Sequence, residues 1–208
     1  EQWIEIIRTA HSLNIPTTAT IMYGHIDSPV HWAMHLATLR RIQKETGGFT
    51  ELVPLSFVHT DSPLYNNDPD TVRPGPTLDE VDLMHAVSRI MLHGWIDNIQ
   101  VSWTKLGAER AQSILGRGVN DFGGTLMNES ISRAAGSKNG QEITASEIVT
   151  MIRAAGRIPV RRNTLYEIKE IYKKHDPVAI EPLVERKGYD PLSFLEMFPE
   201  QSPNKGKL

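Results

Sequence analysis

The sequence predicts an α/β fold built on a parallel sheet. Four short segments rich in apolar and β-branched residues each run into a stretch with helical spacing. The connections from helix back to strand are short, as crossover units require. The chain has 208 residues, 39% of them hydrophobic and 23% charged. That is ordinary globular composition, enough for one domain or a large part of one.

The elements follow in order. Trp3, Ile4, Ile7, Ala10 and Leu13 can share one helical face, so a helix is under way from Glu1 and the chain is expected to start in mid-domain. Ile15-Pro16 breaks that helix. Residues 17–23 are rich in Thr and Ile, end at Gly24 and read as a buried strand. Pro29 opens a helix to about Thr46, with Trp32, Leu36, Leu39 and Ile42 on one side and Gly47-Gly48 as its stop. Residues 49–58 form the second strand. Residues 59–76 then hold four prolines and several Asn and Asp, a loop long enough to suggest a function. Thr77 with Glu80 makes a capping box for a helix to about His93. Residues 98–103 read as the third strand, 106–115 as a helix and 119–122 as the fourth strand, closed by Gly123-Gly124. Thr144 with Glu147 is a second capping box, starting a helix to about Ala155. Residues 164–174 are expected to form one more helix. The domain is expected to run over residues 1–198, with 199–208 as a flexible tail.

Four β/α units can be half of a (β/α)₈ barrel or a small doubly wound sheet. The pattern by itself leans to the open sheet, which can be a complete domain. In both, ligands sit beyond the C-terminal ends of the strands. The residues to question are therefore Tyr23, Gly24, His25 and Asp27, then His59, then Lys105, then Asp121 and Thr125. The net charge of -3 gives no electrostatic reason to expect nucleic acid. No apolar run approaches the ~20 residues that span a bilayer, and a soluble cytoplasmic protein is expected. Zero cysteines leave neither disulfides nor thiolate metal ligands in this chain, so no metal site is expected within it.

Two constellations carry chemistry. In the first, Gly24 at a strand end lets backbone approach a flat ligand, Met22 can lie against an apolar ring, and Asp27 can accept hydrogen bonds. Asp27 can equally be a helix cap before Ser28-Pro29. His25 can act as a hydrogen-bond donor or acid/base, or be a structural histidine bonded to backbone. In the second, Gly123-Gly124 presents amides at the start of a helical turn, a cradle for an anion, with Thr125 and Glu129 following. A plain turn capped by Thr125 fits the same residues. His31 and His35 have the i, i+4 spacing of zinc ligands but lack a catalytic Glu between them and an obvious third ligand. Arg157, Arg161 and Arg162 read as a solvated basic face.

Several blocks resemble one family. Thr18-Ala19-Thr20-Ile21-Met22-Tyr23-Gly24-His25, then His35, Gln43-Lys44-Glu45-Thr46-Gly47-Gly48-Phe49 and Glu51 to Phe57, are similar to radical S-adenosylmethionine (SAM) enzymes of the FO synthase and menaquinone-pathway group. Gln100 to Gly107, Gly123 to Gly136, Gly156 to Pro159 and Thr164 to Tyr166 resemble its tyrosine-using FO synthase branch. The resemblance covers roughly residues 1–170. It implies that the chain is the C-terminal half of a (β/α)₈ TIM-type radical SAM barrel, with the cluster-binding cysteines in an N-terminal half.

The resemblance also implies site roles. Thr20, Met22, Gly24 and Asp27 would occupy an adenine motif on the fifth barrel strand, with Val53 and Leu55 bordering the adenine on the sixth. Thr20 and Asp27 depart from the family's Gly and Glu. His25, His59, Asp121, Gly123, Gly124, Thr125 and Glu129 would face substrate. The implied cofactors are SAM and a [4Fe-4S] cluster. In the implied reaction, a 5′-deoxyadenosyl radical abstracts hydrogen from L-tyrosine, whose Cα–Cβ bond breaks. The 4-hydroxybenzyl group then joins 5-amino-6-(D-ribitylamino)uracil on the route to a deazaflavin. A futalosine-type enzyme of the menaquinone pathway and an inactive fragment are the competing readings.

Overall fold

A computed structural model describes residues 1–126 and 129–173. Helix α1 spans Gln2–Ser12 and β1 spans Thr17–Tyr23. Between them Asn14 takes φ 58°, a left-handed turn that Asn tolerates. Helix α2 (Pro29–Thr46) has Pro29 at its first turn and Gly47 at its end with φ 66°, so both boundaries fall where the sequence puts them. Strand β2 (Phe49–Ser56) pairs with β1 in parallel, the two joined by α2 as the crossover.

The long loop holds one short helix, α3 (Pro63–Asn67), which the sequence reading leaves out. Helix α4 (Leu78–Leu92) starts on the Thr77/Glu80 capping box. Residues 98–103 are only partly a strand. Leu52 bridges Ile99 and Gln100 bridges Asp121, both in parallel. Trp103 already begins helix α5 (Trp103–Leu106), and α6 (Ala108–Ile114) runs into a 3₁₀ turn over Leu115–Arg117. Helix α7 (Ser130–Ala134) and helix α8 (Ala145–Ala154) follow, the latter on the Thr144/Glu147 capping box.

The expected helix over 164–174 is a correction. Strands β3 (Val160–Arg162) and β4 (Ile168–Ile171) form an antiparallel hairpin instead. Asn163 makes the turn: its Oδ1 accepts from the amides of Leu165 and Glu167, each at 3.0 Å. A side chain that bonds nearby backbone in this way competes with helix formation. The expected boundary at 198 and the tail over 199–208 lie outside the described residues.

The parallel segments therefore lie in sequence order: β1, β2, the third around Ile99–Gln100, the fourth around Asp121. No reversal of strand order occurs among the described residues, and no closed barrel forms. Alternation along β1 separates its two faces. Ala19, Ile21 and Tyr23 are buried in a core shared with Trp32, Leu36 and Leu39 of α2 and Val81 and Met84 of α4. Thr18, Thr20 and Met22 point the other way and are exposed. Arg89 of α4 fixes the N-terminal ends of the third and fourth segments, donating to Gly118 O at 2.6 Å, Asp97 O at 2.8 Å and Asn120 Oδ1 at 2.8 Å. No helix among the described residues is long and apolar enough to cross a membrane.

Candidate functional site

The register brings four of the sequence-predicted residues together. Thr20 lies opposite Val53, and Met22 opposite Leu55. Side chains that are register partners in a parallel pair, two residues apart along each strand, share one face. This is the face turned away from the helices; Met22 is 47% exposed on it.

At the end of β1 the chain turns tightly around Asp27. Its carboxylate accepts the Gly24 amide at 2.8 and 3.0 Å, the His25 amide at 2.9 Å, His25 Nδ1 and Trp32 Nε1. Burial alone would raise its pKa, but bonds from the Gly24 amide, Trp32 and His25 outweigh burial and hold it well below the usual carboxylate range. The lone pairs of Asp27 are thus taken up within its own turn, and Ser28, not Asp27, is the residue that caps α2. An ionised Asp27 can only accept, so His25 Nδ1 carries the proton toward it. In the neutral ring Nε2 is then left as an acceptor, with no hydrogen bond among the described residues.

Gly24 has φ 90° and a structural reason for lacking a side chain. A Cβ there would lie 2.3 Å from Pro76 Cδ and 2.9 Å from the Gly75 carbonyl carbon. The space beside Gly24 is filled by the long loop, so the turn by itself gives a reason for glycine there. That loop crosses the strand ends. It bonds the first unit through the Arg73 amide to His25 O at 2.8 Å, and the fourth through the Asp61 amide to Ala135 O at 2.9 Å. Gly136 packs on Thr60 and Asp61 so closely that a Cβ would clash with both. His59 lies at the loop's start, edge-on to Tyr65 with ring centroids 5.0 Å apart.

After the fourth segment, Gly123 has φ 93° and its amide donates to Asp121 Oδ1 at 2.7 Å. Residues 123–126 are not helical, so the glycine pair does not open a helical turn as expected. The helix begins at Ser130 and is capped by Glu129, which accepts the amides of Ile131 at 3.1 Å and Ser132 at 2.8 Å; Thr125 is not its cap. The Gly124 carbonyl accepts from Trp103 Nε1 at 3.0 Å, tying this turn to α5. Asp121 is also ion-paired to Arg162, so its carboxylate is not free at the sheet end.

One feature escapes the sequence reading. Arg162 is no solvated charge: it bonds Asp121, lies 3.6 Å from Glu51 and packs over the Tyr166 ring at 4.1 Å. Burial raises the pKa of Glu51, with the Asp121 charge adding to it against bonds from Tyr166 and Thr18 and the Arg162 charge. Glu51, a charged residue inside the apolar run of β2, is the one signal that could have marked a buried charge there, though not its partner. Lys105, which the sequence places at the end of the third strand, donates through its ammonium to Ser132 Oγ at 2.8 Å. His31 and His35 do not converge: His31 Nδ1 accepts the Ser28 amide at 3.1 Å, while His35 Nε2 pairs with Thr20 O at 3.0 Å. No group of three or more His, Cys, Asp or Glu suited to a metal ion occurs among the described residues.

These features define an α/β protein whose polar loops gather at the C-terminal ends of sequentially ordered parallel strands. Residues 46–175 match the family described as the CofH/MqnC C-terminal region, and the chain belongs to that family. It is 53% identical over 172 residues to the 5-amino-6-(D-ribitylamino)uracil–L-tyrosine 4-hydroxyphenyl transferase of Methanopyrus kandleri, covering 83% of this chain and 46% of the relative. The enzyme of the same description from Methanothermobacter thermautotrophicus is 50% identical over 171 residues, 82% of this chain and 46% of the relative. The FO synthase of Mycobacterium leprae is 52% identical over 167 residues, 80% of this chain and 19% of the relative. The chain thus spans about half the length of the transferases and about a fifth of the FO synthase.

Proposed function

We propose that this chain is the C-terminal half of a cytoplasmic (β/α)₈ radical SAM transferase. The enzyme joins the 4-hydroxybenzyl group of L-tyrosine to 5-amino-6-(D-ribitylamino)uracil in deazaflavin (FO) biosynthesis. The observation that carries this reading is identity of about half, over four-fifths of the chain, to transferases named for those two substrates. The half-barrel is supported by parallel segments in sequence order with one face of β1 left exposed.

Thr20, Met22, Val53 and Leu55 fit an adenine, because they share one uncharged face that runs from exposed Thr20 and Met22 to half-buried Leu55 and buried Val53. The backbone at Gly24 borders it, and Asp27 acts by holding the Gly24–His25 turn. The [4Fe-4S] cluster does not fit this chain, which has no thiolate; its ligands belong to the complementary half. With the complementary half in place, SAM and that cluster would supply the radical chemistry.

The residues of this chain bind and orient. His25, held through Nδ1 by Asp27, offers Nε2 to a substrate hydroxyl or amine. His59 stands at the start of the loop that crosses the strand ends and is tied down there at two points. The Gly124 and Thr125 amides remain for polar substrate groups, while Asp121 and Glu129 shape the Gly123–Ser130 turn through their own bonds.

A chimera tests the whole reading. This chain replaces the stretch of the Methanopyrus kandleri relative that it matches, and the anaerobically reconstituted protein is assayed with SAM, L-tyrosine and the ribityl uracil. The coupled adduct is expected. Turnover of futalosine-type substrates in its place would transfer the chain to the menaquinone branch. The chain alone is expected to take up no cluster and cleave no SAM. Stoichiometric cluster signals by absorbance and EPR from these 208 residues would contradict that.

A further inference from the structure

Lys105 stands beyond the C-terminal end of the third parallel segment, on the single turn of α5. Its side chain is half-buried, and Nζ donates to the hydroxyl of Ser132, a residue only 1% exposed. An ammonium has three N–H donors, so one bond leaves two. No ion pair to Lys105 forms among the described residues. Glu129 is close enough to act on it through space, yet its carboxylate is already bonded to the Ile131 and Ser132 amides. Burial lowers the lysine pKa despite that field.

The setting is rigid. Asn139 Nδ2 donates to Lys105 O at 3.3 Å, Ser137 Oγ to Thr104 O at 3.3 Å and Trp103 Nε1 to Gly124 O at 3.0 Å. The α5 backbone is thereby fixed to the turn after the fourth segment, and the loop from β2 closes on the same region through Asp61 and Gly136. A partly desolvated cation with a carboxylate nearby but no direct ion pair is costly to keep. Held in place at a strand end, it is suited to an anion that arrives with the ligand.

We propose that Lys105 is the anchor for the carboxylate of an α-amino-acid substrate, steadied by the hydroxyl of Ser132. With the function proposed above, on which this rests, that carboxylate is the one of L-tyrosine. The site then reads the amino-acid end of the substrate at α5 and leaves the phenol end to other loops.

The test uses the reconstituted chimera and equilibrium dialysis with L-tyrosine, tyramine, which lacks the carboxylate, and 3-(4-hydroxyphenyl)propionate, which lacks the amine. Lys105→Met should weaken L-tyrosine and the propionate roughly 10- to 100-fold, the loss of a charged hydrogen bond. It should leave tyramine and SAM affinities and the cluster content unchanged. Lys105→Arg should retain most of the affinity. Ser132→Ala should cost L-tyrosine only about 3-fold, and supplies a reading if Lys105→Met fails to fold. Unchanged L-tyrosine affinity in folded Lys105→Met, equal losses of L-tyrosine and tyramine, or a loss confined to the ribityl uracil would each overturn the anchor while the transferase reading stands. A parent chimera that binds no L-tyrosine overturns both.

Discussion

His11 is buried between two hydroxyls, Thr46 at 2.7 Å and Thr17 at 2.8 Å, with Gly48 so close that a Cβ would strike the ring. Burial lowers its pKa, so the fold favours the neutral ring. The unfolded chain binds the proton more readily, and stability must fall as pH drops below the unfolded value of about 6.5. Thermal midpoints of the chimera are expected to decline from pH 7 to pH 5, with a shallower decline in His11→Asn. His35 and His85 are shifted the same way, so part of the slope should survive that substitution. An identical slope in the variant would remove His11 from the account. Gly24 makes a second expectation at this scale. Gly24→Ala forces a Cβ against Gly75-Pro76 and a non-glycine into φ 90°, at a cost of about 1–3 kcal/mol. Circular dichroism should show a lower melting point, and SAM and L-tyrosine affinities should fall together as the loop shifts. A selective loss of SAM at an unchanged melting point would make Gly24 a ligand wall and not a loop seat.

At the scale of elements, what was legible in the sequence was local chemistry. Pro29 and Gly47 mark α2, and Thr77/Glu80 and Thr144/Glu147 mark the starts of α4 and α8, because a cap acts within one turn. Thr77→Ala should therefore destabilise the chimera by about 1 kcal/mol in denaturant melts. Thr20 and Met22, two apart on β1, share one face by the strand's period of two, whereas the sequence reading predicts only a buried strand there. The rest depends on contacts between distant residues. The 164–171 segment has apolar spacing that suits a helix, but Asn163 folds it back, and Arg162 reaches Asp121 and Glu51 across the sheet. Nothing near Arg162 in sequence announces either carboxylate. The roof over Gly24 was hidden for the same reason: Pro76 reaches it from another unit. Arg162→Met leaves two largely buried carboxylates without their cation, a loss of about 3–5 kcal/mol. Glu51→Gln in that background should recover part of it; no recovery would mean that the hairpin is held by other contacts.

For the whole molecule, the decisive feature is the uncovered side of the sheet. Among the described residues β1 pairs in the sheet only with β2, so its other edge has no strand partner, although His35 covers the Thr20 carbonyl. The adjoining face carries Thr20 and Met22, with Met22 47% exposed, beside Leu55. An open edge next to apolar surface favours association. Strands in sequence order close only when further strands complete the ring. The chain expressed alone is therefore expected to aggregate or to pair with a second copy, and co-expression with the N-terminal portion of the Methanopyrus kandleri relative should give a soluble complex. Thr20→Lys with Met22→Lys should reduce self-association, since charges on an edge strand oppose pairing. Light scattering reads both. A stable, cooperatively unfolding monomer at tens of micromolar would show that the exposed face needs no partner, and an open sheet complete in itself would then replace the half-barrel.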